Sequence, residues 1–322
     1  MSKFPFPIPH GWFGLCFSHE LKAGEVRKIR FCGRDIALFR TESGRAAALE
    51  NYCAHLGASL SGGCVKGEAL QCPFHNWQWN ADGACSHIPY SDRIPTRAVT
   101  DALPVQEING MVMGWHHPEG REPYFEIEPV PGLNGDADIW GEREYAFHDI
   151  PTCVQEIAEN DVDSAHFQYV HGSPSFTETE TTVSGPVKQS ISEMELSEEM
   201  LVGLAVDTGT EPFRLHRHSS GPGSVILRGT GIKGLNGEMG EFLMYSVNTP
   251  VEDDRSFMYW TMAVSKNLQD DDMGKTMLHG FATGIDDDMP IWGDKIYREN
   301  PVLCDGDGPI NKHRKFFSQF YS

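Results

Sequence analysis

The sequence predicts an α+β chain of two domains, an all-β domain followed by one built on an antiparallel sheet with flanking helices. Three observations predict it. Short strand-like runs broken by turns fill residues 1–118, a stretch dense in Pro, Gly and acids covers 119–142, and a helical segment, alternating strands and further helices occupy 143–322.

The first domain announces itself in "EVRKIRFCGRDIALFRTESGRAAALEN", whose strand-like runs are separated by Gly-Arg-Asp and Ser-Gly breaks, and closes with the strand "NGMVMGWHH". The linker reads "PEGREPYFEIEPVPGLNGDADIW". Beyond it a helix is expected around 153–171, then strands such as "EFLMYSVNTP" and "SFMYWTMAVS", then helical segments from about 271. The last of these, "KHRKFFSQFY", is expected to turn Phe316, Phe317, Phe320 and Tyr321 inward as an amphipathic helix.

Composition excludes several functions. No apolar run approaches the roughly 18 residues of a membrane span. The formal charge is −20, and it is uneven: residues 1–120 carry 11 basic and 11 acidic residues, residues 121–322 carry 15 and 35. Such a surface repels nucleic acid and suits a basic protein partner. The opening "MSKFPFPIPHGWF" lacks the charged and apolar regions of a secretory signal, so a reducing, cytoplasmic setting is expected. There Cys16, Cys32, Cys64, Cys85, Cys153 and Cys304 are read as small buried hydrophobes without disulfides.

The other two cysteines stand apart. Cys53-x-His55 and Cys72-x-x-His75 each offer one sulfur and one imidazole. Structural zinc sites usually group like with like. A Rieske [2Fe–2S] cluster instead needs two thiolates on one iron and two neutral imidazoles on the other, which two facing mixed loops supply. Gly57, Gly62, Gly63 and Pro73 suit loops that bend around a cofactor, and His87 is set aside as a spare ligand.

Such a cluster moves single electrons, so the second domain must say what they are for. "ENDVDSAHFQYVHG" places His166 and His171 five residues apart, with Asn160 and Asp163 upstream and Gly172 and Pro174 after. Five residues turn a helix by about 140°, so both rings reach one metal only where the helix bulges or ends between them. No Glu follows either histidine, which removes the H-E-x-x-H protease reading. Two histidines and a carboxylate form the facial triad of non-heme Fe(II) oxygenases, and Asp286, Asp287 and Asp288 supply candidate acids far along the chain.

On these motifs, together with "CAHLGASLSGG", "CPFHNWQW" and the C-terminal "IW…K…NP…DGPI…F…QFY", the chain resembles Rieske non-heme iron oxygenases, most closely the steroid-acting group of the 3-ketosteroid 9α-hydroxylase oxygenase component. The resemblance implies a helix-grip (START-like) catalytic domain and a head-to-tail homotrimer. It implies mononuclear Fe(II) on His166, His171 and Asp288, the acid three residues before Ile291-Trp292, although a shorter preceding loop keeps Asp287 in play. It gives Asp163 the place of an acid bridging a cluster histidine and an iron histidine between subunits, beside the alternative of orienting a ligand within one subunit. Asn160 matches a residue near the iron. Electrons are expected from a separate NAD(P)H-dependent reductase or ferredoxin, since no G-x-G-x-x-G fingerprint opens a helix here. The substrates are expected to be O₂ and an apolar molecule, in a pocket for which Phe167, Tyr169, Met244, Met258, Trp260 and Met262 are candidates. The resemblance implies hydroxylation of a steroid-like substrate, with dihydroxylation, demethylation or desaturation of a smaller aromatic or alicyclic one as the alternative. An electron carrier and a lipid-binding module are the other readings, and each leaves one of the two sites idle.

Overall fold

Alternating patterns in the sequence become strands almost throughout the computed structural model, which describes residues 3–172, 175–195, 213–233, 237–268 and 273–321. Residues 12–124 form one unit by themselves, and the residues up to Gly11 join those from Phe125 onward in a second. The division at Tyr124 falls inside the 119–142 linker. The placement of the first eleven residues differs from the expected 1–118 domain. Its cause is long-range pairing: the His10 backbone N–H donates to the Phe320 carbonyl at 2.8 Å.

The first unit is all-β apart from short 3-10 turns. Strands β1 (Gly11–Phe17), β2 (Val26–Phe31), β3 (Arg34–Arg40), β4 (Ala46–Glu50), β5 (Cys64–Lys66), β6 (Ala69–Gln71), β7 (Gln78–Asn80), β8 (Cys85–His87), β9 (Ala102–Leu103), β10 (Val105–Ile108) and β11 (Met111–His116) make three small antiparallel sheets, ordered β1-β11-β10, β2-β3-β4-β9 and β5-β6-β7-β8. Phe39, Leu49, Leu60, Leu70 and Trp79 are fully buried where the last two sheets share a core.

The second unit wraps a seven-stranded antiparallel sheet, ordered β12-β18-β17-β16-β15-β14-β13 among the described residues. Its strands are β12 (Glu144–Ile150), β13 (Ser175–Ser184), β14 (Val187–Glu195), β15 (Phe213–Ser220), β16 (Ser224–Lys233), β17 (Met239–Glu252) and β18 (Arg255–Val264). The expected helix over 153–171 is two helices, α1 (Val154–Asn160) and α2 (Ser164–Tyr169), because Asp163 is extended and caps the second. A long helix, α3 (Met273–Asp294), lays Met277, Leu278, Phe281, Ile285, Met289 and Trp292 on the sheet face formed by Phe242, Met244, Met258, Trp260 and Met262. These residues recur at helical spacing, so one stripe of α3 is the buried one.

The C-terminal helix α4 (Ile310–Phe317) buries Phe316 and Phe317 as expected, Phe320 is buried just after it, and Tyr321 is half-buried. It also fixes α1. Arg314 clamps Glu159 through two bonds of 2.7 and 2.8 Å, and the Tyr321 hydroxyl donates to Gln155 Oε1 at 2.6 Å. Among the spare cysteines, Cys16, Cys32 and Cys85 are buried, but Cys64 and Cys304 are exposed and Cys153 is half-buried, a correction to the expectation. Cys64 lies on the three-residue strand β5, too short and too near the surface to cover both faces. No helix of the described residues is long and apolar enough to cross a membrane.

Candidate functional site

Two closed turns carry the Cys/His pairs of the first unit. In one, Cys53 accepts from the Gly57 N–H at 2.8 Å and donates its own N–H to Ala58 at 2.9 Å. In the other, Cys72 accepts from the Asn76 N–H at 3.1 Å and donates to Trp77 at 2.8 Å. Each cysteine is thereby buried at the base of a turn, while its histidine stays half-buried. The turns face one another, with the rings of His55 and His75 4.7 Å apart. Gly63 lets them close, since a Cβ there would overlap the Gln71 carbonyl. Trp77 stacks on His55 at 4.4 Å and ties back to the Tyr90 hydroxyl at 2.7 Å.

These residues fit a two-iron cluster. Nδ1 of His75 is buried without a hydrogen-bond partner, a donor atom lacking its acceptor. Burial pushes the Cys53 thiol up to about 11, with the Cys72 thiol beside it, so a bound cation is what would hold Cys53 as a thiolate. A tetrahedral zinc would draw all four donor atoms within about 4 Å of one another. The set of His, Cys, Asp or Glu found among the described residues with all ligand atoms within 4.8 Å of one another lies elsewhere.

That set is His166, His171 and Asp288. His166 sits in α2 and is oriented by its own cap: the Asp163 carboxylate accepts the His166 backbone N–H at 3.3 Å, and the Asp163 carbonyl lies 2.7 Å from His166 Nδ1. With Nδ1–H donating to a carbonyl, Nε2 is left as the free lone pair. Burial holds His166 below the ordinary imidazole value, which keeps it neutral as a ligand must be. His171 lies just past the end of α2, its ring 5.0 Å from that of His166 at 79°, so the helix does end between the two histidines. Pro174, noted after the two histidines, lies outside the described residues. Asp288 Oδ2 is 3.5 Å from His171 Nε2.

The helical phase of α3 separates the three acids. Asp288 falls three residues after Ile285 and four before Trp292, on the buried stripe, whereas Asp286 and Asp287 are exposed. Gly308 seats the loop beneath α2, because a Cβ there would overlap the Val162 carbonyl.

A cavity of about 340 Å³ opens against this triad, lined by Phe167, Met194, Leu215, Leu227, Met244, Met258, Trp260, Phe281 and Ile285 among others. Asn160, at the end of α1, is on its wall, as is Asp287. Two expected lining residues are not. Tyr169 is 82 % exposed and points away at the helix terminus, and Met262 is wholly in the core. Arg217, Ser246 and Asn248 were missed, although Ser246 and Asn248 continue the alternation begun by Met244 on β17.

The comparisons agree with this geometry. The model of the 3-ketosteroid 9alpha-hydroxylase C-terminal domain matches residues 114–321, and that of the Rieske [2Fe-2S] domain matches 11–98. Cholesterol 7-desaturase nvd 1 of Ciona intestinalis is 30% identical over 345 residues, covering 100% of this chain and 70% of its own. A 3-ketosteroid-9-alpha-monooxygenase oxygenase component of Rhodococcus rhodochrous is 29% identical over 327 residues, covering 98% and 82%. The structure of dicamba monooxygenase bound to dicamba has the same fold, with a TM-score of 0.79 at 16% identity and 98% of each chain covered. The cofactors of such a protein are a Rieske cluster and a mononuclear iron. With both donor sets in place and a family model spanning most of its length, the chain belongs to the Rieske non-heme iron oxygenases, in the family of the 3-ketosteroid 9α-hydroxylase catalytic domain.

Proposed function

We propose that this oxygenase hydroxylates an apolar, steroid-like substrate. The carrying observation is the apolar cavity that opens directly on His166, His171 and Asp288. A pure electron carrier has no use for such a space, and its volume of about 340 Å³ falls in the range that encloses one drug-sized molecule.

When bound, the cluster on Cys53, His55, Cys72 and His75 supplies single electrons, and Fe(II) on His166, His171 and Asp288 supplies activation of O₂. The chain does the rest. The imidazoles of His166 and His171 and the buried Asp288 carboxylate would hold the divalent ion against the cavity. Met244, Met258, Trp260 and Phe281 exclude water from the reacting carbon. Asp163 fixes the tautomer of His166 through its carbonyl and carries a carboxylate that we assign to the contact with a cluster histidine of a neighbouring subunit, in a head-to-tail homotrimer. Asn160 lines the cavity, and we assign it a place near the iron.

As an oxygenase component the chain takes its electrons from a separate reductase or ferredoxin, and an NAD(P)H-dependent one in the cytoplasm is our reading. Desaturation is the second reading, favoured by the relative named cholesterol 7-desaturase. Incubating the reconstituted protein with a reductase and 3-ketosteroids, sterols and small aromatics tests both. A product heavier by one oxygen supports hydroxylation, one lighter by two hydrogens supports desaturation, and turnover of aromatics alone overturns the steroid reading.

A further inference from the structure

The apolar cavity holds a buried carboxamide that the metal triad does not use. Asn248 lines it from β17, is 4 % exposed, and its carboxamide oxygen has no hydrogen-bond partner. Native interiors rarely leave such an atom unpaired, because it has given up water and received nothing in exchange. The backbone around it is satisfied, with the Asn248 N–H donating to Gly223 at 2.7 Å, so the vacancy belongs to the side chain.

Its surroundings offer no internal remedy. Met258 is opposite it across the β17–β18 ladder and Val225 is on the cavity wall beside it, both apolar. Ser246, two residues back on the same face, accepts from the Trp260 indole at 3.0 Å, and its hydroxyl makes no bond to the Asn248 oxygen. Arg217 donates to Ser192 at 2.8 Å. Four residues of strand carry this wall about 13 Å, from Met244 to Asn248.

We infer that Asn248 is the anchor for the substrate's own oxygen, an alcohol or a ketone at one end of an otherwise apolar skeleton. This rests on the reading of the cavity as a steroid-like substrate site and adds to it a specificity-determining residue. The orphaned atom is an acceptor, so an alcohol, which donates, completes it, whereas a ketone is held only through the carboxamide N–H. Holding one end of a rigid ring system decides which carbon faces the metal triad, and Asn248 thereby sets the position oxidised.

The test uses the full chain and two probes with a single oxygen each, 5α-androstan-3β-ol and 5α-androstan-3-one. Trp260 and Trp292 line the cavity and report binding by fluorescence. Asn248→Leu, of similar size, is expected to weaken the better-bound steroid at least tenfold with an unchanged circular dichroism spectrum. Asn248→Asp keeps an acceptor and loses the donors, and is expected to bind the alcohol but lose the ketone. The Asp variant carries the test alone if the Leu variant fails to fold. Affinities within twofold of wild type in Asn248→Leu, or an unchanged alcohol-to-ketone ratio in Asn248→Asp, overturn the anchor while leaving the steroid reading standing. Failure of wild type to bind either steroid overturns both.

Discussion

Asp163 acts on His166 twice, through a carboxylate that accepts the His166 backbone N–H at 3.3 Å and a carbonyl 2.7 Å from its Nδ1. The orientation of the imidazole therefore depends on the backbone of residue 163, and the cap depends on a side chain that Asn replaces well. Asp163→Asn is expected to keep its iron and its fold. If the carboxylate bridges to a cluster histidine, single-turnover cluster oxidation and product formation both slow in an iron-replete variant. Wild-type rates would remove the bridge. Iron loss rescued by excess Fe(II) would assign the residue to positioning alone.

The acidic triplet gives a cleaner contrast. Asp288→Asn is expected to empty the mononuclear site, whereas Asp287→Asn, at an exposed position, should keep iron within about twofold. Iron analysis of both variants, with the cluster spectrum as internal standard, checks it.

His313 supplies a pH signature away from either site. Burial, with Lys188 3.2 Å from its Nδ1 and Arg314 nearby, holds it well below the ordinary imidazole value. The folded chain keeps it neutral where the unfolded chain takes up a proton. Its contribution is thus complete above the unfolded value near pH ~6.5 and is lost as pH falls toward the folded value, by up to about 1.4 kcal/mol per pH unit. Thermal melts between pH 5 and 7.5 are expected to show a shallower acid slope in His313→Gln than in wild type.

The clamp between Arg314 and Glu159 holds α1, whose last residue is Asn160 on the cavity wall. Arg314→Met leaves a mostly buried carboxylate unpaired and is expected to cost about 3 kcal/mol. Glu159→Gln with Arg314→Met should recover part of it, measured by denaturant unfolding.

Much of this was legible from residue order. Cys53, His55, Cys72 and His75 could be read because local spacing alone makes the two turns, and the five-residue gap from His166 to His171 required a helix end that is there. What spacing could not give was phase and distance. Asp288 separates from Asp287 only once α3 is known to bury Ile285 and Trp292, and Asn248 only once the register of β17 is known. The split between α1 and α2 hid in a three-residue break that Asp163 caps. The pairing of His10 with Phe320 spans almost the whole chain and leaves no local trace.

On this reading one chain holds both a two-iron cluster and a separate iron. Iron and acid-labile sulfide, determined on anaerobically purified protein beside His166→Ala and His171→Ala, test it most directly. Wild type is expected to hold about three irons and two sulfides per chain, and either variant about two of each, with an intact cluster spectrum and no product. Zinc without sulfide at the Cys/His loops, or undiminished turnover in either histidine variant, would contradict it.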